Sequence, residues 1–330
     1  MDKVAGLPAA QRSELFSESA ARRGMTPAIV EKDFWVTWTL DKLFRHHELS
    51  RILMFKGGTS LSKVFGLIER FSEDIDLVLD WTILTSEIPQ AERSKTKQQV
   101  LNQEIDERGQ AYIAGELLQQ VTACVAPICQ CAIDTADHHV LNIRYPAAFP
   151  DRYLRPEVRL EIGPLASWLP FDEYNIRPYT ADVFPAVFNR AECRVRAIKA
   201  ERTFWEKATI LHHEAHRPDG SPQPPRHSRH YYDLAKMAVS PVKEKALADL
   251  GLLVSVVEFK ERFYPRAWAR YDLAKPGTFR LVPSGSVLAS VATDYRAMAN
   301  MIFGDYPDFK TIMTQLQVLE DEINGLKKAG

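Results

Sequence analysis

The sequence predicts an α/β first half, to about residue 190, followed by a mostly helical second half. Three patterns carry this expectation. "RILMF" (51–55) is a short apolar run and "EDIDLVLD" (73–80) alternates strictly, as strands do. "TSLSKVFGLIERF" (59–71), between them, reads as a helix beginning at Thr59 or Ser60. From Val195 the apolar period becomes helical, with Phe204, Ala208, Leu211 and Ala215 on one stripe.

The remaining elements follow in order. Thr26 then Pro27 supplies a hydroxyl cap and a proline at the first helical position. Val30, Phe34 and Trp38 then share one helix face. That helix is too charged for a membrane span, since Lys32, Asp33 and Asp41 interrupt it. Residues 92–121 are polar and helix-favouring. Three strand candidates follow: "CVAPICQCAI", "HVLNIRY" and "EVRLEIG". The proline-spaced stretch 171–190 reads as loops and turns, and "PDGSPQPPRHS" (218–228) as a mobile loop. "RHYYDLAKMAV" opens another helix. In the last segment Phe309, Ile312, Leu316, Leu319 and Ile323 form an amphipathic stripe.

Composition bounds the function. The chain has 330 residues, 45% apolar content and a formal charge of −1. That suits one large domain or two ordinary ones, here divided as 1–190 and 191–330, and gives no overall pull toward nucleic acid or membrane. There is no cleavable apolar N-terminus, so a cytoplasmic location is expected. Cys124, Cys129, Cys131 and Cys193 lack the paired spacing of a zinc site and read as core residues in a reducing compartment.

The acids of "EDIDLVLD" pose the functional question. Ile75, Leu77 and Leu79 share one strand face, while Asp74 and Asp76 share the other, with Cβ atoms about 7 Å apart. Two carboxylates so placed repel unless bridged, and Mg²⁺ typically takes one or two carboxylates plus substrate phosphates. The plain alternative is a solvated strand edge, or ion pairs to Arg70 or Lys63. Immediately upstream, Gly57, Gly58, Thr59 and Ser60 stand between a strand and a helix. There the backbone amides can approach a phosphate, with Lys63 one turn on. The spacing is neither GxxxxGK[ST] nor GxGxxG.

"FKGGTSLSKVFGLIERFSEDIDL" resembles the polymerase-β-type nucleotidyltransferase superfamily, and more closely the AbiEii/AbiGii (MenT-like) nucleotidyltransferase toxins. "ERTFWEKATILHHEAHRP" and "SRHYYDLAKM" resemble that family's later motifs. The resemblance implies a mixed sheet with flanking helices, and a helical C-terminal domain closing the active-site cleft. It implies Asp74 and Asp76 as metal ligands for Mg²⁺. It implies Gly57, Gly58, Thr59, Ser60, Lys63 and Lys207 as nucleotide-binding, and Lys207 and Asp233 as important for activity. A third acid on a neighbouring strand is usual in the superfamily. Glu161, on the polar face of "EVRLEIG", is the candidate, as a second-metal ligand or as the base. The implied reaction moves NMP from an NTP to an acceptor, a tRNA 3′ end. The implied role is the toxin of a type IV-like toxin–antitoxin or phage-defence pair with a cognate antitoxin. Protein nucleotidylation, phosphorylation and a non-catalytic nucleotide module stay open as alternatives.

By helical period Lys207 is half buried and needs a partner. A triphosphate, Glu206 or Asp233 could serve. Residues 190–236 hold ten Lys or Arg against six Asp or Glu, and five of the nine histidines, a local patch that suits RNA. "HHEAH" (212–216) places His212 and His216 at helical spacing. It lacks the Glu that a zinc protease needs directly after the first His.

Overall fold

A computed structural model describes residues 1–72, 74–149 and 155–326. Glu73, at the head of "EDIDLVLD", and the last four residues of the C-terminal segment lie outside these. The chain forms two compact units. The first comprises Met1–Val64, Phe71–Pro89 and Arg93–Ile198; the second comprises Phe65–Arg70, Gln90–Glu92 and Lys199–Gly330.

The first unit is built on a seven-stranded mixed sheet. Its strands are β1 (Leu53–Lys56), β2 (Asp74–Leu79), β3 (Gln130–Ile133), β4 (Val140–Arg144), β5 (Glu157–Gly163), β6 (Phe171–Ile176) and β7 (Cys193–Ile198), in the order β3-β4-β5-β2-β1-β7-β6. β2 runs antiparallel to β1 and parallel to β5; β7 runs parallel to β1. The alternation read from the sequence sets the two faces. Phe55, Ile75, Leu77, Leu79, Val158, Leu160, Ile162, Val195 and Ala197 all enter the main core. The other face carries the polar partners. Toward one end it also carries a small cluster of Met54, Val78 and Ile198, on which Trp168 packs.

The Pro27–Arg45 helix crosses the core face, capped as expected by Thr26, whose hydroxyl accepts from Ile29 N. Its charges Glu31, Lys32, Asp33 and Asp41 are buried rather than solvated, and each has a partner. Glu31 accepts from the amides of Ala148 and Phe149 at 2.8 and 3.0 Å. Lys32 donates to the carbonyls of Arg155 and Glu157. Asp33 takes the ammonium of Lys63 at 2.6 Å and the amide of Tyr179 at 2.6 Å. These bonds tie the helix to loops far off in sequence, which an apolar face could not do selectively.

Three element expectations are corrected. β6 and β7 lie where loops and the start of a helix were expected. β6 is an edge strand exposed along most of its length, so it has no alternation to read. The helix after Gly57-Gly58 spans Gly57–Lys63 only; it begins two residues earlier than expected and the chain then leaves for the second unit. Of the cysteine run, Cys131 is in β3 but Cys124 is on the Leu118–Val125 helix. All four thiols are free, and burial raises each of them above the usual range.

The second unit is helical. The Ala200–Ala215 helix, the Arg229–Ala238 helix and the Phe309–Gly325 helix are its main members, and the Arg229–Ala238 helix packs on both others. Ile312, Leu316, Leu319 and Ile323 are buried as the stripe predicts. No described helix is long and apolar enough to cross a membrane. The 218–228 loop is pinned: Asp294 accepts from the amides of Arg226 and Ser228 at 2.7 Å each, and Gln223 donates to Glu214.

The "HHEAH" histidines are structural. His212 is fully buried; its Nε2–H donates to the Arg270 carbonyl at 2.9 Å and its Nδ1 accepts from Arg280 N at 3.0 Å. His216 Nδ1 contacts the His212 carbonyl at 2.8 Å. The donor atoms that do converge, within 4.8 Å of one another, belong to His213, Glu214 and His227. Glu214 is already held by Arg217 through two 2.7 Å bonds, and these donors keep its carboxyl ionised against the cost of burial. Burial pushes His212 and His227 down to about 4.

That burial has a pH consequence. Both imidazoles stay neutral in the fold, while the unfolded chain takes up protons near 6.5. Stability is therefore complete above pH 6.5 and is lost as pH falls toward about 4. The expected loss by pH 5.5 is on the order of 1 kcal/mol per imidazole. Thermal melts from pH 7.5 to 5.5 should show a falling Tm, with a shallower slope in His212→Gln. Equal slopes would contradict this.

Candidate functional site

β1 ends at Lys56, opposite Asp76 in the antiparallel register, and the chain turns at once into the Gly57–Lys63 helix. The turn needs a φ of +79° at residue 57, which glycine alone adopts without penalty. Space makes the same demand. A Cβ on Gly57 would lie 1.8 Å from Asp76 Oδ2 and 2.4 Å from its Cγ. The Asp76 carboxylate therefore rests directly on the Gly57 backbone at the helix start. Lys56, the residue that precedes the helix, makes no side-chain capping bond to it.

The hydroxyls expected at the phosphate do local work. Thr59 Oγ1 donates to the Asp74 carbonyl, locking the helix start to β2, and Ser60 Oγ donates to the Gly57 carbonyl at 2.8 Å. Lys63 turns away from the acids. Its buried ammonium lies on Asp33, donates to the Arg177 carbonyl at 2.8 Å and sits 4.2 Å from the Tyr179 ring centroid. What remains at the helix start for an anion is backbone, at Gly57, Gly58 and Thr59.

β2 and β5 bring the acids together. Asp76 is paired in register with Glu161, and Asp74 with Arg159. All four side chains stand on the polar face of the sheet, since β5 alternates cleanly between buried and half-exposed positions. Arg159 Nε lies 3.4 Å from Asp74 Oδ1, and its NH1 3.0 Å from Asp134. The partner of Asp74 is thus Arg159, not Arg70 or Lys63. Asp134 in turn accepts from Asn142 and from the Ala136 amide, which hold its carboxyl well below the usual range.

Lys207 and Asp233 meet in the second unit. Lys207 Nζ is 2.7 Å from Asp233 Oδ2, and Arg70 grips the same carboxylate from Nε at 2.6 Å and NH2 at 2.7 Å. Lys207 is buried rather than half buried, with Nζ 3.4 Å from His230 Nδ1. Burial opposes ionisation of Asp233, but the two cations outweigh it and hold the carboxyl at about 2. Arg70, Asp233 and Lys207 thus make a buried group of one carboxylate and two basic side chains, in which burial lowers the Lys207 pKa against the pull of Asp233. Arg70 has no motif signal of its own. It reaches Asp233 because the Phe65–Arg70 segment is clamped: Glu69 O accepts from Phe303 N at 2.9 Å, and Arg70 bridges to Ile302.

Comparison with known proteins gives the family. A family model described as "Nucleotidyl transferase AbiEii toxin, Type IV TA system" matches residues 38–315. No curated protein matches. Among solved structures, the nucleotidyltransferase toxin MenT4 from Mycobacterium tuberculosis H37Rv is 16% identical, with 96% of this chain and 100% of that chain covered, at a TM-score of 0.41. JHP933 from Helicobacter pylori is 14% identical over 86% and 89% of the two chains, at a TM-score of 0.36. With the family model spanning most of its length, the chain belongs to the AbiEii nucleotidyltransferase toxins of type IV toxin–antitoxin systems.

Proposed function

We propose that this toxin transfers NMP from an NTP to the 3′ hydroxyl of an RNA, a tRNA end, with Mg²⁺ as the metal. The observation that carries the reading is the seat of Asp76 on Gly57, with Asp74 beside it and Glu161 in register. The donor set fits a hard, oxygen-seeking cation: two carboxylates on one strand face, a third on the next strand, and backbone opened by a glycine. When bound, the ion supplies positive charge to the phosphate oxygens and to the departing pyrophosphate.

The rest is done by the protein. Gly57, Gly58 and Thr59 amides hold the β- and γ-phosphates at the helix start. Asp74 and Asp76 would hold the metal ion. The acceptor oxygen bonds to the α-phosphorus, the bond to the bridging oxygen breaks, and pyrophosphate leaves with the electron pair. The hydroxyl proton passes to Glu161, the nearest acid in register. Arg159 keeps Asp74 aimed at the face. In the second unit, Lys207 and Asp233 enter through the family's later motifs, with Arg70 as the residue that fixes Asp233. A cognate antitoxin is the expected partner.

Label transfer tests the reaction. Label should enter RNA from α-labelled and not γ-labelled nucleotide, and Asp76→Asn should lower the rate by about 10²–10³-fold with an unchanged or higher Tm. Label entering RNA from the γ position, or an active Asp76→Asn, would refute it.

Gly57→Ala must displace the Asp76 carboxylate and adopt a strained φ. A loss of activity comparable to Asp76→Asn is expected, with about 1–3 kcal/mol of destabilisation in denaturant melts. Wild-type turnover in this variant would remove the glycine from the site.

Asp233→Ala leaves two buried cations without their shared anion. A destabilisation of about 3–5 kcal/mol is expected. Lys207→Met keeps the Arg70–Asp233 pair, so it should stay folded while losing transfer. Melts and label transfer on both variants separate structure from catalysis, and an active Lys207→Met would exclude a catalytic part for the lysine.

A further inference from the structure

The polar face of the sheet continues past the acids into a second feature. Met54, Val78 and Ile198 make an apolar floor there, covered by Trp168. Arg196, on the same face of β7 as Ile198, places its guanidinium 5.6 Å from the Trp168 ring centroid and 5.2 Å from that of Phe171. Phe171 is 38% exposed. Neither Trp168 Nε1 nor Arg196 Nε has a hydrogen-bond partner among the described residues. The result is two aromatic rings joined by a cation at an edge of the sheet.

Register relates this platform to the acids. Asp76 pairs with Lys56; Phe55 pairs with Ala197, so Lys56 lies beside Ile198; and Ile198 pairs with Phe171. Phe171 is therefore three strands from Asp76 on one row, about 14 Å away at the usual strand spacing. Val78, under Trp168, is two residues along β2 from Asp76, away from the Gly57 helix start.

We infer that Trp168, Phe171 and Arg196 form the seat for the unpaired bases at the 3′ end of the acceptor RNA. The argument rests on the nucleotidyl-transfer reading above. Along the strands, the Met54 and Val78 floor under Trp168 lies on the side of Asp76 away from the Gly57 helix start, to which the pyrophosphate is assigned, so a strand resting there leaves the phosphate seat clear. Base stacking on aromatic rings with an arginine beside them is how proteins hold single strands with little regard to sequence.

The test separates this inference from the reaction itself by reading binding without turnover. With no NTP present, fluorescence anisotropy would measure a labelled RNA hairpin with a single-stranded 3′ tail, and separately a fluorescent non-hydrolysable ATP analogue would measure nucleotide binding to the same protein. Trp168→Leu, Phe171→Ala and Arg196→Gln should each weaken the tailed RNA about 5–100-fold, the range expected for losing one stacked base. ATP-analogue affinity and Tm should stay unchanged, and Trp168→Phe should restore most of the RNA affinity. Unchanged RNA affinity in all three variants would overturn the inference, as would no binding of the tailed RNA by the parent protein. A matching loss of ATP-analogue affinity would also overturn it, because the rings would then serve the incoming nucleotide.

Discussion

The Asp76 carboxylate and the Gly57 backbone occupy one small volume, and the rest of the site follows from that apposition. A carboxylate on a strand that faces a core on its other side is costly to hold in place unless its surroundings favour the charge. Here the antiparallel pairing of β1 and β2 delivers Asp76 to the point where β1 becomes a helix. The positive φ of Gly57 opens the backbone there, and no side chain larger than hydrogen would fit. The parallel pairing of β2 with β5 then adds Glu161 to the same row without any further device. Position and charge both derive from two strand registers and one glycine.

A second polar constraint organises the helical unit. Asp233 gathers two cations, Arg70 and Lys207, from segments far apart in sequence. Breaking such a group is expensive because it strands buried charge, which makes it a specifier of arrangement more than a source of net stability. The same logic holds in the first unit, where Lys63 and Asp33 pair in the core. In both places a side chain that sequence alone would offer to a ligand is claimed by a protein partner, and the two outcomes differ. Lys63 is turned from the acids by its partners, whereas Lys207 shares its carboxylate with a second basic side chain, Arg70.

Much of this was legible in the residues. Strict alternation in "EDIDLVLD" and "EVRLEIG" assigned the faces of β2 and β5 correctly, because one side of each strand is core and the other is not. Thr26-Pro27 announced its helix through local capping chemistry. What escaped was of three kinds. β6 is an exposed edge strand, and β7 was read through into the helix that follows it, so neither announced itself. The roles of Thr59, Ser60 and Lys63 depended on which atoms their short side chains or long stem reached, a matter of tertiary distance. Arg159 and Arg70 became visible only when the register and the Phe65–Arg70 excursion placed them on their acids.

The central claim, that one metal–nucleotide complex spans the acids of β2 and the amides at the start of the Gly57 helix, can be read directly. Isotope-labelled protein would be titrated with Mn²⁺ and a non-hydrolysable NTP analogue while amide resonances are followed. The account predicts that Gly58, Thr59, Asp76 and Glu161 broaden first and together, and that Asp76→Asn abolishes the effect. Broadening centred on His213, Glu214 and His227 instead, with the Gly57 helix start unaffected, would contradict it.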